Sequence, residues 1–199
     1  MITLGITGPT GCGKTTLLQA VKECGGTIVD CDVLYGRLLE TDAEMKNALT
    51  AAFPEAFTHG ALDRKRLAQT VFRDEAAMKT LNDIAFYYVG RASRRLQASA
   101  REEGCALFAV DAINLLESDL HELCDVTVGV LAPIPTRAER IMQRDGLSYD
   151  EAMLRINAQK PEEFYRQNCH IILENNADME QFEKQAAALC RKLLKGELG

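Results

Sequence analysis

The stretch Gly8-Pro9-Thr10-Gly11-Cys12-Gly13-Lys14-Thr15 constrains this chain more than any other. It matches G-x-x-x-x-G-K-[ST] without a gap, the pattern of a loop that wraps phosphates. Its flanks fit that reading: an apolar strand-like run over residues 2–7 precedes it, and a helix-like run over 14–22 follows. Glycines let the backbone close around an anion, so that successive N–H groups point at it. The helix start adds the positive end of its dipole. Lys14 then reaches the β- and γ-phosphates of a nucleoside triphosphate, the Thr15 hydroxyl sits on Mg²⁺, and Thr16 reaches the α-phosphate. Gly8, Gly11, Cys12 and Gly13 complete the loop, and Cys12 brings a thiol to a helix N-terminus, where thiol pKa values fall. No Asn-Lys-x-Asp string occurs, which favours ATP over GTP.

Along the rest of the chain, short β-type runs alternate with longer helical ones, the pattern of βαβ units on a parallel sheet. Strands are expected over 27–29, ending at Asp30-Cys31-Asp32, and over 105–110, 126–131 and 170–173. Helices are expected over 136–144 and from a capping box at Ser148-Tyr149-Asp150-Glu151 to about 160, with a last helix capped by Asp178. A mainly helical region, 33–101, is broken near Pro54 and Gly60. The expected fold is α/β, a P-loop NTPase core of three layers built on a parallel sheet, with a helical insertion after the second strand.

Candidate chemistry clusters at predicted strand ends. Asp30 and Asp32, alternating on one face of an extended segment, can hold an attacking hydroxyl in line or take its proton. Asp111 ends the apolar run 106–110 in the manner of a Walker B acid that orients Mg²⁺, and Asn114 and Glu117 follow it. Arg137, Arg140 and Arg144 share one helix face, and Arg155 and Gln159 repeat the spacing on the next helix. With the Gly146 turn between them, these helices resemble a lid that closes on phosphates, for which the planar guanidinium is suited. Arg140 and Arg144 are the favoured phosphate ligands.

The 23 Lys and Arg against 29 Asp and Glu give a net charge of −6, which disfavours a nucleic-acid polymer as partner. The charge is uneven. Residues 63–101 hold nine cations and four acids, whereas 102–135 hold seven acids and no cation. A basic insertion in an acidic protein suits a compact anionic acceptor. No run approaches the length of a membrane span, the first residues lack the form of a signal peptide, and seven scattered cysteines include no Cys-x-x-Cys pair. A soluble cytoplasmic protein with reduced thiols is expected.

Taken in order, several motifs resemble the dephospho-CoA kinase family across nearly the whole chain. They are the run from Gly8 to Thr16, Thr27-Ile28-Val29-Asp30-Cys31-Asp32, Leu81-Asn82, Leu116-Glu117, Arg140-Ile141-Met142-Gln143-Arg144-Asp145, Arg155-Ile156-x-x-Gln159 and Ile171-x-x-Glu174-Asn175-Asn176. The phosphate loop alone is generic; the D-x-D, the Q-R-D helix and the later R-I-x-x-Q are specific in combination. The resemblance implies a nucleotide-binding core (1–32, 102–135 and 167–199), a CoA-binding helical part (about 33–101) and a lid (about 136–166). It also implies transfer of a phosphoryl group from ATP–Mg²⁺ to the ribose 3′-hydroxyl of dephospho-CoA. Asp32 falls on the proposed base, Arg140 or Arg144 on the lid arginine nearest the ATP phosphates, and Asn176 on the nucleotide side. Two stretches depart from the family pattern: Phe86-Tyr87 replaces His-Pro, and Asp111-Ala112-Ile113-Asn114 lacks the usual proline. The residues alone leave open a related kinase for another nucleoside-like acceptor, or a nucleotide-binding module with a decayed acceptor site.

Overall fold

The computed structural model describes residues 1–176 and 178–197, which form two compact units, 31–95 and 1–30 with the described residues from 96 onward. The first unit is built on a five-stranded sheet with every pairing parallel. Its strands are β1 (Ile2–Thr7), β2 (Thr27–Asp30), β5 (Leu107–Asp111), β6 (Val126–Leu131) and β7 (Ile171–Glu174), in the order β2-β5-β1-β6-β7. β5, β1 and β6 read as nearly unbroken apolar runs because both faces of the sheet are covered.

On one face, Leu4 and Ile6 of β1 join Leu17 and Val21 of α1 (Lys14–Glu23) and Phe182, Ala186 and Leu193 of α9 (Met179–Lys195). The face of α9 that carries Phe182, Ala186, Leu189 and Leu193 is buried, and Asp178 caps the helix by accepting from the Gln181 N–H at 2.8 Å. On the other face Gly5 packs so closely that a Cβ there would lie 2.7 Å from Leu115 and 2.8 Å from the Cys124 sulfur. Burying the Phe182 ring alone contributes on the order of 2–3 kcal/mol.

The chain runs from β1 to β2 on one side of the sheet, then crosses from β5 over β1 to β6 on the other. Connections therefore diverge beside the carboxyl end of β1, where open α/β sheets bind ligands. The phosphate loop lies at that point.

Several boundaries differ from expectation. β2 stops at Asp30, and Cys31 and Asp32 open α2 (Cys31–Thr41), so the two aspartates do not share one face of an extended segment. Helical periodicity in the following residues captures Asp32 into the first turn, where an acid complements the dipole. α6 (Ile134–Asp145) starts two residues early because Pro135 sits in its first turn, where a missing N–H costs nothing. α7 (Tyr149–Asn157) opens with the expected capping box at Ser148 and Glu151 but ends at Asn157, not near 160. Gln159 thus leaves the helix that carries Arg155, and a further helix, α8 (Glu162–Asn168), was not expected.

The second unit holds α2, α3 (Ala43–Ala52), a hairpin of β3 (Phe57–Thr58) and β4 (Ala61–Leu62), α4 (Arg64–Val71) and most of α5 (Glu75–Glu102), which runs on into the first unit. Asp42 caps α3 through the Met45 N–H at 2.9 Å and also accepts from Arg91 at 2.9 Å, while Arg91 pairs with Glu44 as well. The hairpin turn places His59 at φ 50° and Gly60 at φ 76°, the two positive values that a tight two-residue turn requires. Among the described residues no helix is long and apolar enough to cross a membrane.

Candidate active site

The carboxyl edge of the sheet assembles the site from chain segments far apart in sequence. β1 ends at Thr7, and the loop from Gly8 to Gly13 leads straight into α1. Gly8 has φ 142°, and a Cβ there would lie 2.3 Å from the Val130 carbonyl oxygen of β6, so only glycine fits. Lys14 turns back over the loop and donates to the Gly8 carbonyl at 2.9 Å. Cys12 is buried, and burial pushes its thiol up despite the pull of Lys14, so the helix N-terminus does not activate this sulfur.

The C-terminal part of the sheet supports the same loop. Asn175, directly after β7, is buried and donates from Nδ2 to the Cys12 carbonyl at 2.9 Å. A Cβ on Gly13 would lie 2.3 Å from that Nδ2. Asn176, the residue expected on the nucleotide side, is exposed and donates to Glu174 at 2.8 Å. Sequence reasoning quotes Asn175 within a motif but gives the nucleotide side to Asn176. The usable signal was its position, the first residue beyond a strand at the ligand edge.

α6 lies against the loop. Arg140 donates to the Gly11 carbonyl at 3.1 Å. Arg137, given less weight in the sequence than its neighbours, is buried and donates from Nε to the Thr10 carbonyl at 2.9 Å. Arg144 does not join them: it forms a two-pronged pair with Asp145 at 2.8 and 2.9 Å, which Arg155 completes from α7 at 2.5 Å. The Arg144 guanidinium holds the Asp145 carboxyl below the usual carboxylate range. The hydrophobic seam of α6 with α7, built on Ala138, Ile141, Ala152 and Ile156, fixes which arginines turn toward the loop.

Asp111 closes β5, and Asp30 closes β2 beside it. Asp32 stands exposed in the first turn of α2, in the other compact unit. Thr15 and Thr16 border a groove of about 430 Å³ between α1 and α9, lined also by Gln19, Glu23 and Met179. A second cavity of about 380 Å³ lies past the end of β5, between Ile113, Asn114 and Glu117 on one side and Gln159, Lys160 and Tyr165 on the other. An ion pair from Lys160 to Glu117 at 3.2 Å spans it. Burial pushes the Tyr165 hydroxyl there up to about 12.

The edge fits ATP with Mg²⁺. The glycine loop and the start of α1 offer backbone N–H groups to phosphates. Thr15 and Asp111 offer hard oxygen donors of the kind Mg²⁺ takes sparingly, since phosphate and water complete its shell.

Comparison with known proteins gives this geometry a context. The dephospho-CoA kinase family model matches residues 2–181. A dephospho-CoA kinase of Deinococcus radiodurans is 34% identical over 96% of this chain and 91% of its own length. That of Thermus thermophilus is 34% identical over 100% of this chain and 95% of its own. A solved Thermus thermophilus structure superposes with a TM-score of 0.77 at 33% identity, covering 100% of this chain and 98% of that one. A shikimate kinase from Acinetobacter baumannii, with a TM-score of 0.58 at 16% identity over 100% and 96% of the two chains, shares the fold alone. With a phosphate loop at the switch point, an arginine-bearing helix against it and a match that runs from β1 into α9, this chain belongs to the dephospho-CoA kinase family.

Proposed function

We infer that the chain transfers the γ-phosphoryl group of ATP to the ribose 3′-hydroxyl of dephospho-CoA, yielding CoA and ADP, in the cytoplasm. The observation that carries this reading is the family match over residues 2–181, which spans the acceptor-side insertion as well as the phosphate loop. The hydroxyl oxygen bonds to the γ-phosphorus, the bond from that phosphorus to the β–γ bridging oxygen breaks, and the hydroxyl proton goes to a carboxylate. Asp32 is our choice for that carboxylate, with residues 33–101 binding the acceptor and 136–166 acting as the lid.

Little covalent chemistry falls to the protein in such a transfer; positioning and charge stabilisation do the work. In this reading the loop N–H groups and Lys14 hold the phosphates, and Arg140, bonded to the Gly11 carbonyl, meets charge spreading over the transferred group; their contacts with the loop support it. Thr15 and Asp111 would hold Mg²⁺, which would supply charge neutralisation at the phosphate oxygens. The acceptor is a small anionic molecule rather than a nucleic-acid polymer, in keeping with the basic stretch 63–101.

The deciding experiment incubates purified protein with ATP–Mg²⁺ and a panel of acceptors that includes dephospho-CoA, reading ADP release and product mass. CoA formation in preference to every other product supports the reading; turnover confined to another acceptor overturns it.

A further inference from the structure

Thr10, inside the phosphate loop, has every one of its polar groups engaged by two residues of the segment that follows β6. Its backbone N–H donates to Gln159 Oε1 at 3.0 Å, and its hydroxyl accepts from Gln159 Nε2 at 2.9 Å. Its carbonyl accepts from Arg137 Nε at 2.9 Å. Arg137 Nη2 in turn donates to the same Gln159 Oε1 at 3.0 Å, which closes the ring of contacts. These bonds join positions 149 and 127 residues apart along the chain.

Two further observations set this cluster apart from ordinary surface hydrogen bonding. Arg137 is only 7% exposed, and among the described residues it forms no ion pair with a carboxylate. Burial costs the guanidinium its hydration, and the Glu162 carboxylate returns only an attraction without a contact ion pair. Gln159 reaches Thr10 only because α7 ends at Asn157 and Pro161 follows, which leaves residues 158–160 as a short non-helical bridge.

We propose that Arg137 and Gln159 are positioning residues for nucleotide binding, acting through Thr10 on the phosphate loop. A P-loop binds anions with backbone N–H groups, and those bind well only if the loop is already in its bound shape. Fixing Thr10 at its N–H, hydroxyl and carbonyl removes the freedom of the loop between Gly8 and Gly11. The positive charge of Arg137, buried beside the loop, gains a further counter-charge when polyphosphate arrives. Neither residue needs to touch the nucleotide for this. The proposal rests on the kinase reading only for turnover, since its primary readout is nucleotide affinity without acceptor.

The test measures ADP affinity calorimetrically for the parent, Gln159→Leu, Thr10→Val, Thr10→Ser and the Thr10→Val/Gln159→Leu double variant. Gln159→Leu is expected to weaken ADP about tenfold, the size of one or two lost hydrogen bonds. Thr10→Ser, which keeps the hydroxyl, should bind as the parent does, and the double variant should be no worse than Gln159→Leu alone. With acceptor present, KM for ATP should rise while kcat at saturating ATP stays within about twofold. ADP affinity of Gln159→Leu within twofold of the parent, or strictly additive losses in the double variant, would overturn the proposal. Should Gln159→Leu fail to fold, the Thr10→Val and Thr10→Ser pair decides alone: weaker binding in the first with recovery in the second supports it, and equal binding in both overturns it. If the acceptor were misassigned, the parent itself would form no CoA while these affinity comparisons stood unchanged.

Discussion

Asp30 and Asp111 are register partners, the last residues of the adjacent parallel strands β2 and β5. Neighbours at one level of a parallel pair project to the same face, so two carboxylates leave the sheet side by side at its ligand edge. Ile6 of β1 is the partner of Asp111 on the other side, which places the pair one strand from the start of the phosphate loop. A hard divalent cation carried in by ATP matches that edge. Asp111→Asn should raise the Mg²⁺ concentration for half-maximal turnover about tenfold with thermal stability little changed; an unaltered Mg²⁺ dependence would remove Asp111 from the metal's surroundings.

Lys14 reaches back to the Gly8 carbonyl and so lies across the mouth of the loop. Lys14→Ala should abolish turnover while leaving the circular dichroism spectrum and thermal midpoint near those of the parent. Retained turnover would contradict the placement of the phosphates.

Asp32 is the choice for the group that receives the hydroxyl proton. Asp32→Asn preserves size and removes the acceptor, so kcat should fall on the order of 10²–10⁴-fold, the range of general base catalysis, with ATP affinity kept. Isothermal titration with ADP beside steady-state kinetics separates the two effects. A variant that loses ADP binding as well would move Asp32 out of this role.

Gly8 is the loop glycine at which a Cβ would come nearest to backbone. A methyl group there meets a backbone carbonyl at 2.3 Å on a φ that side chains rarely adopt. Gly8→Ala should cost roughly 3 kcal/mol of stability from strain and overpacking together. Chemical denaturation reads the difference, and a loss below about 1 kcal/mol would show that β6 yields there.

Tyr165 gives the protein a specific alkaline weakness. Its hydroxyl is raised by burial from 10.0 to about 12, so the folded state keeps a proton that the unfolded state releases. The sign follows: this contribution is complete below pH 10 and is lost as pH rises through about 12. Burial raises the Tyr35 hydroxyl too, but of the five tyrosines Tyr165 should give the latest step in a phenolate absorbance titration, and Tyr165→Phe should remove that step. It should also flatten the fall of thermal midpoint with pH in this window. Loss of the late step in none of the single Tyr→Phe variants would refute the assignment.

Local signals carried the fold far. The strand, loop and helix around Gly8–Thr15, the capping box at Ser148 and the cap at Asp178 are written in residues within a few positions of one another, and each is present. Features that depend on distant partners were harder to see. Helical spacing put Arg137, Arg140 and Arg144 on one face but could not say that Arg144 would turn to Asp145 while Arg137 sank against Thr10. α7 ends before the expected position because Pro161 clashes with a helical carbonyl at residue 157 and turns residue 160 away from the helix, which frees Gln159 to bond Thr10, 149 residues away. The β3–β4 hairpin escapes sequence reading because each strand is two residues long, too short to show alternation, and its turn is His59-Gly60 in place of the usual Asn-Gly or Asp-Gly.

The hydrogen bond from Asn175 to the Cys12 carbonyl has a consequence for how the protein is made. A ribosome releases the Cys12 end of that bond 163 residues ahead of the asparagine that holds it. β7 and α9, which complete the sheet and cover β1, come out on either side of that asparagine. While the residues between are synthesised, the nascent chain therefore carries its most recognisable motif with the support of that loop still to come.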